Sequence, residues 1–201
     1  TDRSGELIGG AVISDGRLVL PRDGAHLKSK PLTKDIREKT LEAWVQLSTL
    51  DQGGGAVISL QTNDGRVFDA IVFGERQARK WTAGSDGFLR TKDLDVPDEA
   101  DAATSLVHVA IVYRADNSIQ LYRNGQPLGA AYTPGSGLQT FKAGEAHVVL
   151  GQPTPDGWCY DHGHVLGRSH GRAPRHLAGE KCVHLCRKMR TVLFRRSDRQ
   201  D

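Results

Sequence analysis

Apolar residues in this chain recur at every second position, in short runs broken by pairs that favour a chain reversal. The stretch from Leu106 to Tyr132, LVHVAIVYRADNSIQLYRNGQPLGAAY, shows the pattern twice. Asp116-Asn117 ends the apolar run Val107 to Tyr113. Asn124-Gly125, two residues that tolerate positive φ, predicts a type I′ turn after Ile119 to Tyr122. The same grammar appears upstream, in Val12 to Leu20 around Asp15-Gly16 and in Val57 to Phe68 around Asp64-Gly65. In Leu41 to Leu47, the residues Leu41, Ala43, Val45 and Leu47 share one face, and Glu42, Trp44 and Gln46 share the other. Val107 to Tyr113 and Phe68 to Phe73 are apolar on both faces, as expected of strands covered on both sides. Helical periodicity is scarce: Thr33 to Lys39 and Asp98 to Ala103 offer one turn each. Short strands separated by turn signals predict an all-β fold, an antiparallel β-sandwich of jelly-roll type. Three stretches read as loops: Asp51 to Gly55, Gly74 to Gly87 and Asp93 to Asp101.

Length changes this picture little, since 201 residues suit one well-buried domain with a tail. No apolar run approaches the roughly 20 residues that span a bilayer, so a soluble chain without membrane contact is expected. Thr1 to Glu6 lack the basic start and apolar block of a signal peptide, and the chain opens without methionine, so a fragment or processed product is expected.

Charge changes it more. Residues 152–201 carry 10 Lys and Arg against 5 Asp and Glu, with all three cysteines and five of the eight histidines. The expected organisation is a β-sandwich over residues 1–151 followed by a basic, Cys/His-containing tail over 152–201, either disordered or read in a shifted frame. Cys159, His162, His164, Cys182, His184 and Cys186 are metal-ligand types, but no paired Cys-x-x-Cys knuckle organises them, and three cysteines do not make a disulfide framework. The arginines of the tail could attract polyanions by charge alone. No aromatic interleaving supports specific nucleic-acid recognition.

The runs Thr40-Leu41-Glu42-Ala43-Trp44-Val45, Val107 to Tyr113 and Ile119 to Pro127 resemble the LamG-like jelly-roll domain of the concanavalin A-like lectin/glucanase superfamily. Phe68-Asp69-Ala70-Ile71-Val72-Phe73-Gly74-Glu75 is similar to a bacterial, planctomycete-type branch found within large envelope-associated proteins. The resemblance covers about residues 7 to 151. It implies a lectin-like module of a larger protein, placed extracytoplasmically or in the cell envelope. The closing-strand motif of such domains is missing after His147 to Gly151.

Glucanases of the superfamily carry their acid and nucleophile in a Glu-x-Asp-x-x-Glu pattern on one strand, and this chain has no such spacing. The resemblance also brings calcium, the one cofactor in view; Asp93, Asp95 and Asp98 are its candidate ligands, against the plainer reading of a solvated acidic turn. For a sugar, the candidates are Trp81, Asp86, Phe88 and Arg90: aromatic rings to stack on a pyranose, with charged groups beside them. Trp44 is expected in the core. The expected function is noncatalytic binding of a glycan or a protein partner, with oligomeric state left open. A degenerate laminarinase-type glycosidase and a purely structural spacer are the alternatives.

Overall fold

The computed structural model describes residues 5–151 together with 160–161, 164–165 and 189–193. Its strands are β1 (Gly5–Ile8), β2 (Val12–Ser14), β3 (Arg17–Val19), β4 (His26–Ser29), β5 (Lys39–Leu47), β6 (Ala56–Thr62), β7 (Phe68–Phe73), β8 (Trp81–Ser85), β9 (Val107–Tyr113), β10 (Ile119–Arg123), β11 (Gln126–Tyr132), β12 (Ala146–Gly151), β13 (Tyr160–Asp161), β14 (His164–Val165) and β15 (Met189–Leu193). Two antiparallel sheets face each other. Sheet A runs β1-β4-β12-β6-β7-β8, and sheet B runs β11-β10-β9-β5-β15-β3-β2, while β13 and β14 pair with one another. This is the all-β antiparallel sandwich that the alternation predicts.

The turns fall where the sequence puts them. Asp15, Asn117 and Asn124 all have positive φ, and Gly16, Gly65 and Gly125 share it. The two one-turn helices do not form. Lys39 already belongs to β5, and Asp101 instead accepts bonds from the backbone N–H groups of Thr104 and Ser105 in a tight turn. Among the described residues the sole helical turn is Asp86–Phe88, and no helix is long and apolar enough to cross a membrane. The stretch from Gly74 to Gly87, expected as a loop, contains strand β8, which pairs with β7 from Asp69↔Ser85 to Phe73↔Trp81.

Alternation sorts the side chains between core and surface. Leu41, Ala43, Val45 and Leu47 of β5 point inward and meet Ile71, Phe73 and Trp81 of sheet A in one buried cluster. Trp44, expected in the core, is half-buried on the outer face of sheet B, its ring 5.2 Å from that of His108. Strand β15, from the basic segment, runs between β5 and β3, pairing Val192 with both Val45 and Leu18. Apart from β13 and β14, the remainder of 152–201, with its cysteines, lies outside the described residues.

The two open sides of the sandwich differ. On one, residues 89–105 cross from the edge strand β8 to sheet B. Glu99 N–H donates to Arg79 O (2.8 Å), Leu47 N–H donates to Ala102 O (2.7 Å), and the Lys80 ammonium donates to Val96 O. Leu94 and Val96 also pack against β11, where a β-carbon on Gly129 would stand only 3.0 Å from Val96. The segment thereby shields β8, whose free backbone groups would otherwise offer a pairing edge. On the other side, β1 and β2 expose Leu7, Val12 and Ile13.

Candidate functional site

Strand parity in sheet A sends one row of side chains away from the core. The row reads Glu6, Lys28, Val149, Ser59, Ala70 and Gly84 across all six strands. The neighbouring outward row reads His147, Gln61 and Phe68. Small residues thus fill the middle of the face, and polar or aromatic ones stand beside the β6–β7 turn.

Those polar groups form one directed chain. Ser59 Oγ–H donates to Gln61 Oε1 at 3.1 Å, which turns the Gln61 amide nitrogen toward His147 Nε2 at 3.4 Å. With Nε2 accepting, the imidazole proton sits on Nδ1 and is donated to Asn63 Oδ1 at 3.1 Å. Asn63 Nδ2 closes the chain on Gly144 O at 2.9 Å. Burial pushes the His147 ring below its ordinary pKa, and the charges of Lys28 and His26 add to the effect, so the ring stays neutral in this role. His147 and Ser59 are buried, Gln61 and Phe68 are half-buried, and Asn63 is exposed.

At the opposite end of β7, two loops meet. Gly74 has φ +71, and a β-carbon on it would lie 2.3 Å from Gln52 O, so only glycine lets loop 51–55 come this close. Phe73 N–H to Gly55 O (3.1 Å) and Gly74 N–H to Lys80 O (2.9 Å) hold the contact. Glu75 then folds over the outer face: its Oε2 is 3.7 Å from where a Gly84 β-carbon would stand. Burial pushes the Glu75 carboxyl up to about 7, against the downward pull of the Arg76 charge. Among the described residues neither Glu75 Oε2 nor Gln52 Nε2, both buried, has a hydrogen-bond partner.

Of the sequence-predicted sugar residues, burial removes two. Trp81 is 3% exposed, packs on Phe73 with ring centroids 4.7 Å apart, and donates its indole N–H to Glu99 Oε2 at 2.7 Å. No face of that ring is open to a pyranose. Arg90, also 3% exposed, reaches into the sandwich: its Nε donates to Asp69 Oδ1 at 2.7 Å, and a terminal nitrogen donates to Phe68 O and to Asp86. Lys39 supplies the second cation to Asp69, at 2.7 Å. Burial pulls the Lys39 ammonium below its ordinary range, although Asp69 opposes it. Asp86 and Arg90 are therefore partners in a structural cluster. Phe88 is half-buried beneath the Arg76 guanidinium, 4.8 Å from its centre.

The calcium candidates do not gather. Asp93 is clasped by Arg76 through two bonds of 2.7 and 3.0 Å, Asp95 is exposed, and Asp98 stands 3.7 Å from Lys80. Among the described residues no three His, Cys, Asp or Glu side chains come together as a metal cage. Glu99, within the stretch Asp93 to Asp101 that the sequence reads as a loop, is buried. It accepts from Trp81, from Arg123 twice at 2.8 Å, and from the backbone N–H groups of Asp101 and Ala102. Burial alone would raise its carboxyl; these donors outweigh that and hold it at about 2.

Sequence reasoning missed Ser59, Gln61, Phe68 and His147 as one constellation. For Ser59, Gln61 and His147 the signal was available as polar residues in otherwise apolar strands, but only the strand order shows that the four are neighbours.

The fold resembles several solved structures at low identity. Mouse laminin α1 chain domains LG4-5 match with a TM-score of 0.50 and 13% identity, over 96% of this chain and 43% of that one. The carbohydrate binding module CBM66 from Bacillus subtilis matches with a TM-score of 0.43 and 11% identity, over 75% of this chain and 89% of that one. LamAcat from Zobellia galactanivorans gives 0.46 and 12%, over 70% and 68%. No curated protein matches the chain in sequence. The model of the concanavalin A-like lectin/glucanases superfamily matches residues 22–163, most of the chain. The protein belongs to that superfamily.

Proposed function

We propose that the protein is a noncatalytic binding module that holds a glycan on the outer face of sheet A, at Phe68, Gln61 and Asn63. The observation that carries this reading is the directed hydrogen-bond chain behind those residues. His147 fixes which way the Gln61 and Asn63 amides point, and a half-buried phenyl ring stands across the strand pair from Gln61. A ring face and preset amides match the apolar faces and hydroxyl edges of a sugar.

Glycoside hydrolysis needs a pair of carboxyl groups flanking the bond. The outward positions His147, Val149, Ser59, Gln61, Phe68, Ala70, Val72, Thr82 and Gly84 on strands β12, β6, β7 and β8 are all neutral or apolar, and the two acids of the face, Glu75 over β8 and Glu6 on β1, belong to opposite edges of the sheet, too far apart to flank one bond. That composition supports binding over the glycosidase alternative. The likeness of residues 68–75 to envelope-associated proteins supports an extracytoplasmic setting within a larger protein.

The test is a glycan array followed by titration calorimetry on the best ligand. Gln61→Ala and Phe68→Ala are expected to weaken binding by about tenfold each, the loss of roughly one good hydrogen bond or ring contact. Retention of full affinity in both variants, or no glycan bound at all, overturns the proposal. Release of reducing ends from a bound β-glucan would favour the glycosidase reading instead.

A further inference from the structure

Buried polar atoms without partners are rare in folded proteins, because each forgoes hydration and receives nothing back. Here two lie on loops in direct contact: Gln52 Nε2, on a residue 9% exposed, and Glu75 Oε2. A β-carbon on Gly54 would come within 4.0 Å of Glu75 Cα, and the Gly74 contact brings Gln52 O against the same turn. One atom is a donor and the other an acceptor. The carboxyl of Glu75 rests over Gly84, whose strand partner is Ala70, two residues along β7 from Phe68 and so about 7 Å away along the strand. The Glu75 carboxyl therefore adjoins the face already described, and the Gly74 contact sets the Gln52 backbone against the turn that carries it.

From this placement we infer that Gln52 and Glu75 form a second subsite for a hydroxyl-bearing ligand, with the amide donating to one sugar oxygen and the carboxylate accepting from a hydroxyl. The inference rests on the binding reading above and adds a subsite that responds to pH. A carboxylate accepts a charge-assisted bond, whereas the protonated acid offers only an ordinary one, so affinity rises as pH passes upward through the Glu75 transition.

The surroundings leave Glu75 as the group that titrates. Arg76 is its charged neighbour, and it remains cationic with its guanidinium bound to Asp93. On the facing loop the sole charged residue is Asp51, which is paired with Arg79 at 2.6 Å. Lys80 is turned to Val96 O and Asp98, and the strand positions beneath, Val72, Thr82 and Gly84, carry no charge.

The test is nuclear magnetic resonance titration of the full chain with methyl β-glucopyranoside, methyl β-galactopyranoside and methyl α-mannopyranoside at pH 5.5 and 8.5. At least one glycoside is expected to shift the amides of residues 52–55 and 74–76, with Kd about tenfold lower at the higher pH, the worth of one strengthened bond. Glu75→Gln, which keeps the shape, is expected to flatten that pH profile, and Gln52→Ala to raise Kd about fivefold at both pH values. Shifts confined to residues 61–68, with the profile unchanged in Glu75→Gln, would overturn the subsite and leave the binding reading standing. No shift with any glycoside, together with a silent glycan array, would overturn both.

Discussion

Two glutamates flank strand β8 and are withdrawn from water, yet they end at opposite extremes. Glu99 sits on the sealed side of the sandwich, receives bonds from Trp81, Arg123 and two backbone N–H groups, and is held at about 2. Glu75 lies on the outer face of sheet A with an oxygen that no donor among the described residues meets, and burial pushes it up to about 7. Burial acts on both in the same direction. The difference lies in what else was buried with them, since a carboxylate stays ionised out of water only when donors replace its hydration shell. The first glutamate fastens the crossing segment to the sheets; the second is left poised to change its charge near neutral pH.

The largest expected effect comes from breaking the fastened side. Glu99→Ala strands the Arg123 guanidinium beside Asp101 and leaves the indole N–H of Trp81 unpartnered, and is expected to cost about 3 to 5 kcal/mol in urea unfolding at pH 7. A loss under 1 kcal/mol would mean that the segment is held by Leu94 and Val96 instead. The stabilisation by Glu99 follows a depressed carboxyl, so it is complete above pH 4.5 and is lost as pH falls through 2.

Gly74→Ala attacks the other side. The substitution forces a β-carbon into Gln52 O at positive φ, and is expected to destabilise the protein by about 2 to 3 kcal/mol, read as a lowered urea midpoint, while separating loops 51–55 and 74–80. The smallest effect sharpens the contrast. Glu75→Gln removes a charge that burial opposes. For a raised carboxyl the native state is favoured below pH 4.5 and loses that advantage as pH rises through about 7. The variant is therefore expected to match the parent at pH 4 and to exceed it by about 2 kcal/mol at pH 8.5, the pKa displacement discounted for partial exposure. A constant difference at both pH values would show that the acid titrates normally.

Much of this architecture was legible in residues whose job is local. Asp-Gly and Asn-Gly pairs mark turns because few other residues accept their dihedrals, and the alternation in Leu41 to Leu47 names the inward face without any partner being known. Strand β8 escaped because Ala83 and Gly84 carry no strand signature and are strand-like only through pairing with β7. Glu99 escaped for a related reason: Arg123 is far away in sequence, and nothing in the run Asp93 to Asp101 separates the one buried acid from its exposed neighbours. Trp81 was placed beside a loop where its ring in fact closes the core. The polar chain through His147 joins residues more than 80 positions apart, a distance that no local pattern can bridge.

Strand β15 carries a consequence for the order of events in folding. Among the described strands it lies between β5 and β3, so the hairpin β2–β3 joins sheet B through a strand that leaves the ribosome after every other strand of the two sheets. Contacts that close such long loops raise contact order and slow folding. The nascent chain can assemble β5, β9, β10 and β11 early, while β5 waits with one edge unpaired. During that interval the protein depends on chaperones or on speed to keep the exposed edge from recruiting a strand of another chain.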